Sequence, residues 1–226
     1  MGFIRLIKWF GLSLVLCVAF IPSGYGAATH FLGSIEDTAA PTVLPPTGAC
    51  PPGMTCKPGV GLPSRVDYRE QGIVTPIKDQ GACGSCDVFA TYGTLEAFLI
   101  RNGYGTFDLS EEYTLSCIGF DICVHGSNHT DNYRFLSQTG TIPESFLPYS
   151  APSNPTCLSA NNVANQYNFP YKGLTYEKIK ITSSVDLKSA LVAYGPLTVS
   201  FDVYQDFFDY ASGVSRANQV VRFSSK

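Results

Sequence analysis

Apolar residues recur at spacings of three and four from Val88 through Phe89, Tyr92, Leu95 and Phe98 to Leu99. That is the stripe of a helix buried along one face. Its start is predicted near Ser85 and its end near Asn102–Gly103, a normal C-terminal stop. A second helix is signalled by Ser110 as N-cap, with Glu111 and Glu112 in a first turn where acids suit the helix dipole. A third is predicted over Thr130 to Thr139, with Gly140 as its C-cap. A fourth opens with Ser183 and Asp186 spaced as a capping box and runs to Tyr194, before Gly195–Pro196. The period then changes: Leu197, Val199, Phe201 and Val203 alternate with Thr198, Ser200 and Asp202, as in a half-buried strand. Helices first and a strand-rich region afterwards read as an α+β fold with two unlike halves, divided near Tyr167 to Gly173.

The first residues follow a different pattern. Arg5 and Lys8 precede an apolar run, Trp9 to Ile21, interrupted only by Gly11 and Ser13. Pro22, Ser23 and Gly24 break the run, and small residues follow at Gly26, Ala27 and Ala28. Residues 1–28 are therefore expected to be a secretory signal peptide, cleaved between Gly26 and Thr29. A membrane anchor fits less well, because the run is shorter than the ~20 residues a span needs. Residues 29–61 are rich in Pro, Gly, Thr and Ala and have no helical or strand period, so a pro-segment or surface linker is expected there.

Composition narrows the class. The 226 residues are 45% hydrophobic, 13% aromatic and only 15% charged. Such a chain has the apolar surface to offset ordering entropy, which excludes a disordered tail. A formal net charge of −3 removes the electrostatic case for nucleic acid or an anionic membrane surface. Eight cysteines are present, and export would permit disulfides. Removing Cys17 with the signal leaves an odd number, so one thiol is left over.

The chemistry concentrates in Gln80-Gly81-Ala82-Cys83-Gly84-Ser85-Cys86. Cys86 falls in the first turn of the strongest predicted helix, where the positive end of the dipole favours a thiolate. Its backbone N–H is unpaired within the helix and could face an oxyanion, and the Gln80 amide could supply a second donor. Cys83-x-x-Cys86 could alternatively be a redox pair, which would need a βαβ context. It could also be half of a zinc site, which would need a second suitably spaced pair. Asn128-His129-Thr130 is a glycosylation sequon, a common triplet.

VDYREQGIVTPIKDQGACGSC resembles the segment around the active-site cysteine of papain-like cysteine peptidases. The resemblance continues through LSEEYTLSC (Leu109 to Cys117), the PYS before Cys157, and GPLTVSFDVYQDFFDYASGV (Gly195 to Val214). It implies a papain-like two-domain α+β fold: a helical domain over 62–170 carrying the nucleophile, and an incomplete β-rich domain over 171–226. It implies Cys86 as nucleophile, Gln80 as oxyanion donor, and a substrate groove passing His125, Gly126 and Ser127. Disulfides Cys83–Cys123 and Cys117–Cys157 are implied too; with a local Cys50–Cys56 pair, Cys86 would be the spare thiol. The implied activity is hydrolysis of peptide bonds through a Cys86 thioester by a secreted, vacuolar or lysosomal monomer. Its partner is a peptide or protein substrate, and it needs no cofactor and no metal.

Two features depart from the family pattern. Asp87 stands where an aromatic residue normally follows the nucleophile, and a carboxylate there disfavours the thiolate. The histidines are His30, His125 and His129, and none occupies the position of the family's base or is followed by its orienting Asn. The chain is therefore expected to be C-terminally truncated and weakly active or inactive, or else a non-catalytic peptide-binding pseudopeptidase.

Overall fold

The computed structural model describes residues 7–9, 12–14, 42–43, 62–63, 65–151, 156–165, 174–176, 178–181 and 183–200. Strands β1 (Ile7–Trp9) and β2 (Leu12–Leu14) form an antiparallel pair within the predicted signal. Strand β3 (Thr42–Val43) pairs in parallel with β4 (Ile179–Lys180). The stretch expected to be a patternless linker thus contributes a short strand; two residues are too few to show a period.

Helix α1 spans Cys86–Arg101, matching its predicted limits. Val88, Phe89, Tyr92 and Leu99 of its stripe are buried, whereas Phe98 is 40% exposed. The stripe is wide, and Phe98 at its edge lies by Tyr104, with ring centroids 6.5 Å apart. Helix α2 (Glu111–Cys117) is capped by Ser110, whose Oγ accepts from the Tyr113 N–H. Helix α3 (Ile122–His125), opened by Asp121, had no periodic signal because it is a single turn. Helix α4 (His129–Thr139) begins one residue before its predicted start, with Asn128 accepting from the Asp131 N–H. Helix α5 (Cys157–Ala164) was not anticipated. Helix α6 (Ser184–Tyr194) has the predicted cap, with Ser183 Oγ 3.1 Å from the Asp186 nitrogen.

The main core lies between α1, α2, α3 and α4, where Val88, Tyr92 and Leu99 meet Leu109, Leu115, Ile122 and Leu136. Burying each of these side chains stabilises the fold by roughly 1.5–3 kcal/mol. The Tyr92 hydroxyl is satisfied by Thr114 at 2.9 Å and Thr141 at 3.0 Å. Helix α6 packs through Leu191 on Tyr68 and Ile73, and the Tyr68 hydroxyl donates to the Leu191 carbonyl at 2.5 Å. Arg101 closes the other side of this contact, donating to the carbonyls of Val192 and Ala193 at 3.3 Å each.

The described part of the expected strand, residues 197–200, is partly buried at every position and belongs to no assigned strand. Thr198 within it forms a β-bridge. Phe201 and Val203, and the whole of the expected domain boundary, lie outside the described residues.

Candidate active site

The segment before α1 is held from three sides. The Gly81 N–H donates to Asp79 Oδ1 at 2.8 Å, closing an Asx turn in which Gly81 takes φ 59°. The Cys83–Cys123 disulfide links the segment to α3, and the Gly84 N–H donates to the Cys123 carbonyl at 3.3 Å. Tyr149 supplies the third hold. Its hydroxyl donates to the Gln80 carbonyl at 2.8 Å and lies 2.8 Å from Ser85 Oγ, while its ring meets Phe89 edge-on at 4.9 Å. Burial pushes the Tyr149 hydroxyl well above the usual phenol range, so it stays a donor. Ser85, where the helix start was expected, occupies the cap position but makes no side-chain cap; it faces Tyr149 instead. Tyr149 lies 64 positions from Ser85, and only its place in the Pro-Tyr-Ser string could have flagged it.

Cys86 opens α1 and is buried. It is disulfide-bonded in this structure. The expected spare thiol is thus not free here, and no described cysteine is. The arithmetic that left it over needed a Cys50–Cys56 pair, which lies outside the described residues. Gln80 is buried, and its Nε2 donates to the Cys83 carbonyl at 2.8 Å. One of its two amide hydrogens is therefore held by the loop, which orients the group. Its Oε1 is buried without a hydrogen-bond partner.

The expected groove residues do not share one surface. His125 is exposed, whereas Gly126 and Ser127 are buried, and Ser127 Oγ accepts from Asn132 Nδ2 at 3.0 Å. Gly126 ends α3 with φ 70°, a turn that sends the following residue inward. His129 is brought close to the residue after Cys86: its Nδ1 lies 3.1 Å from Asp87 Oδ1 and its Nε2 lies 2.8 Å from Ser200 Oγ. His30 lies outside the described residues.

Behind the site is a buried ionic cluster. Lys78 Nζ contacts Glu111 Oε1 at 2.9 Å, Asp108 Oδ1 at 2.8 Å and Glu96 Oε1 at 3.4 Å, and donates to the Leu109 carbonyl at 2.9 Å. Glu96 also accepts from the Thr75 hydroxyl at 2.5 Å and the Leu109 N–H at 2.8 Å. Burial raises the Glu96 carboxyl and pushes that of Glu111 up to about 8, despite Lys78. The two acids predicted as dipole partners in α2 are in fact buried. Glu112 accepts from the Ser150 N–H at 2.7 Å, fixing the strand of chain that carries Tyr149.

The arrangement places a buried cysteine at the start of a helix, and the comparisons supply a family. The profile of the papain family cysteine proteases matches residues 62–225, and the chain belongs to that family, as its Gln80–Cys86 string led us to expect. Its papain-like fold follows from this membership. A cathepsin L-like proteinase of Fasciola hepatica is 34% identical over 155 residues, covering 68% of this chain and 46% of that one. The thiol protease aleurain of Arabidopsis thaliana is 33% identical over 156 residues, covering 68% and 42%. A solved ragweed pollen cysteine protease in its proform shares 29% identity over 43% of this chain and 30% of that one, with a TM-score of 0.40. The chain spans less than half the length of these two curated relatives. No described helix is long and apolar enough to cross a membrane, and the described residues contain no His, Cys, Asp and Glu group suited to a metal.

Proposed function

We propose that the protein is a cysteine endopeptidase in which Cys86 attacks the carbonyl carbon of a peptide bond. The C–S bond forms, the C–N bond breaks and the amine leaves with a proton; water then hydrolyses the thioester and restores the thiol. The placement of Cys86 at the start of α1, with Gln80 fixed beside it by the Cys83 carbonyl, carries this reading. The Cys86 N–H and the remaining Gln80 N–H serve the oxyanion, a role worth roughly 3–4 kcal/mol per donor in such sites. The proton acceptor is not assigned to a described histidine, because His125 is exposed and His129 engages Asp87 and Ser200. Turnover further requires Cys86 to be released from its disulfide, so activity is reductant-dependent.

A second reading is favoured by one observation, the disulfide-bonded Cys86 beside an acid: a pseudopeptidase that holds a peptide without cleaving it. A vinyl-sulfone probe separates the two readings. Labelling at Cys86 after mild reduction, lost in Cys86→Ala, supports the peptidase. Retained peptide binding without labelling would overturn it. The pattern of residues 1–28 supports export, and the change of period after Tyr194 supports a second, β-rich domain.

A further inference from the structure

Asp87 directly follows Cys86 in α1 and is 1% exposed. Burying a carboxylate costs several kcal/mol unless it is paired, and a negative charge one residue from a thiol opposes thiolate formation. The fold brings His129, the first residue of α4, to 3.1 Å from that carboxylate, and Ser200, beyond α6, to 2.8 Å from the other ring nitrogen. Both imidazole nitrogens lie near oxygens, to which a doubly protonated ring could donate. Among the described residues, the other charged and titratable groups on the surrounding elements are engaged elsewhere or exposed. On α4, Asp131 binds Arg134 at 2.6 Å and the Tyr133 hydroxyl is 2.7 Å from Thr198; His125 ends α3, exposed; and Tyr149 lies between Ser85 and Gln80.

We propose that His129 is a positioning residue for Cys86: as a cation held by Ser200 it neutralises Asp87, so that an acid can stand beside the nucleophile without suppressing it. The inference rests on Cys86 being the reactive thiol. It explains how the chain tolerates its departure at Asp87: the compensating change is supplied by α4 and lies far from Asp87 in sequence.

The test is the pH dependence of Cys86 alkylation by iodoacetamide in the full chain. Mild reduction is chosen to leave Cys83–Cys123 and Cys117–Cys157 intact, as checked by mass spectrometry of the Cys86 peptide. His129→Gln is expected to move the profile to higher pH and slow alkylation near pH 6 about tenfold, which corresponds to one pKa unit. Asp87→Asn is expected to leave it close to the parent's, because the acid that His129 offsets is gone. In the Asp87→Asn background His129→Gln is expected to change the rate less than twofold. That double variant contains no unpaired charge and keeps the comparison available if His129→Gln alone fails to fold. An unchanged profile in His129→Gln, or an equal slowing in both backgrounds, overturns the proposal. Covalent labelling of Ser200 by a fluorophosphonate, absent in His129→Gln, would overturn it in favour of a Ser200–His129–Asp87 hydrolytic triad. No alkylation of Cys86 in any variant would sink the nucleophile reading and this inference together, an outcome distinct from the other two.

Discussion

Lys78 is one cation facing two buried carboxylates, Glu96 and Glu111, with Asp108 at the exposed edge. Glu96 has the Thr75 hydroxyl and the Leu109 N–H as additional donors, so it is the better place for a negative charge. Glu111, pushed up to about 8 by burial, is therefore expected to hold the proton at neutral pH. Its carboxyl is raised on folding, so its contribution to stability is fully present below its unfolded pKa of about 4.5 and is lost as pH rises through about 8. At 1.36 kcal/mol per unit, the loss across that window is on the order of 5 kcal/mol. Glu111→Gln mimics the protonated form and removes this slope. It is expected to match the parent in urea melts at pH 5 and to exceed it by several kcal/mol at pH 8.5. Lys78→Met leaves two buried acids without a cation and is expected to cost about 3–5 kcal/mol at pH 8, less at pH 5. A Glu111→Gln variant weaker than the parent at pH 8.5, with a parallel pH dependence, would refute the assignment of the proton to Glu111.

Further outcomes are expected. Tyr149→Phe removes the hydroxyl shared by Ser85 and Gln80; it should lower stability by about 1–2 kcal/mol in denaturant melts and reduce vinyl-sulfone labelling of Cys86. Gly195 takes φ 97°, and a Cβ there would lie 2.7 Å from Arg101 Nη1. Gly195→Ala should therefore cost about 1–3 kcal/mol in backbone strain and disturb the Arg101 cap on α6, readable as earlier proteolysis in that helix. The Cys83–Cys123 bridge closes a separation of 40 residues. Replacing both cysteines by Ala should cost about 4 kcal/mol if loop entropy dominates, measured as a shifted urea midpoint. Reductant titration should raise probe labelling of Cys86 from near zero, and full labelling without reductant would contradict the disulfide assignment.

Local chemistry made the helices legible. The limits of α1, the Ser110 and Ser183 caps and the Gly140 stop all follow from residues within a few positions of one another, where hydrogen-bond geometry is fixed by the chain itself. The Gln80–Cys86 string was legible for the same reason and carried the family with it. Local pattern could not show that Glu111 and Glu112 turn inward, because an acid in a first helical turn suits solvent equally well; Lys78 and the Ser150 N–H decide that. Nor could it show that Ser127 faces Asn132 instead of the groove.

By itself the sequence determined the helix start at Cys86 and the family, and the family resemblance implied the two disulfides with a separation of 40 that the structure contains. Only the tertiary structure decided what surrounds Cys86: that Tyr149 holds Ser85 and Gln80, and that His129 and Ser200 meet Asp87. These partners come from separate elements, and the pairing of a buried charge is settled by which side chains packing brings within about 3 Å, a distance that sequence separation does not encode.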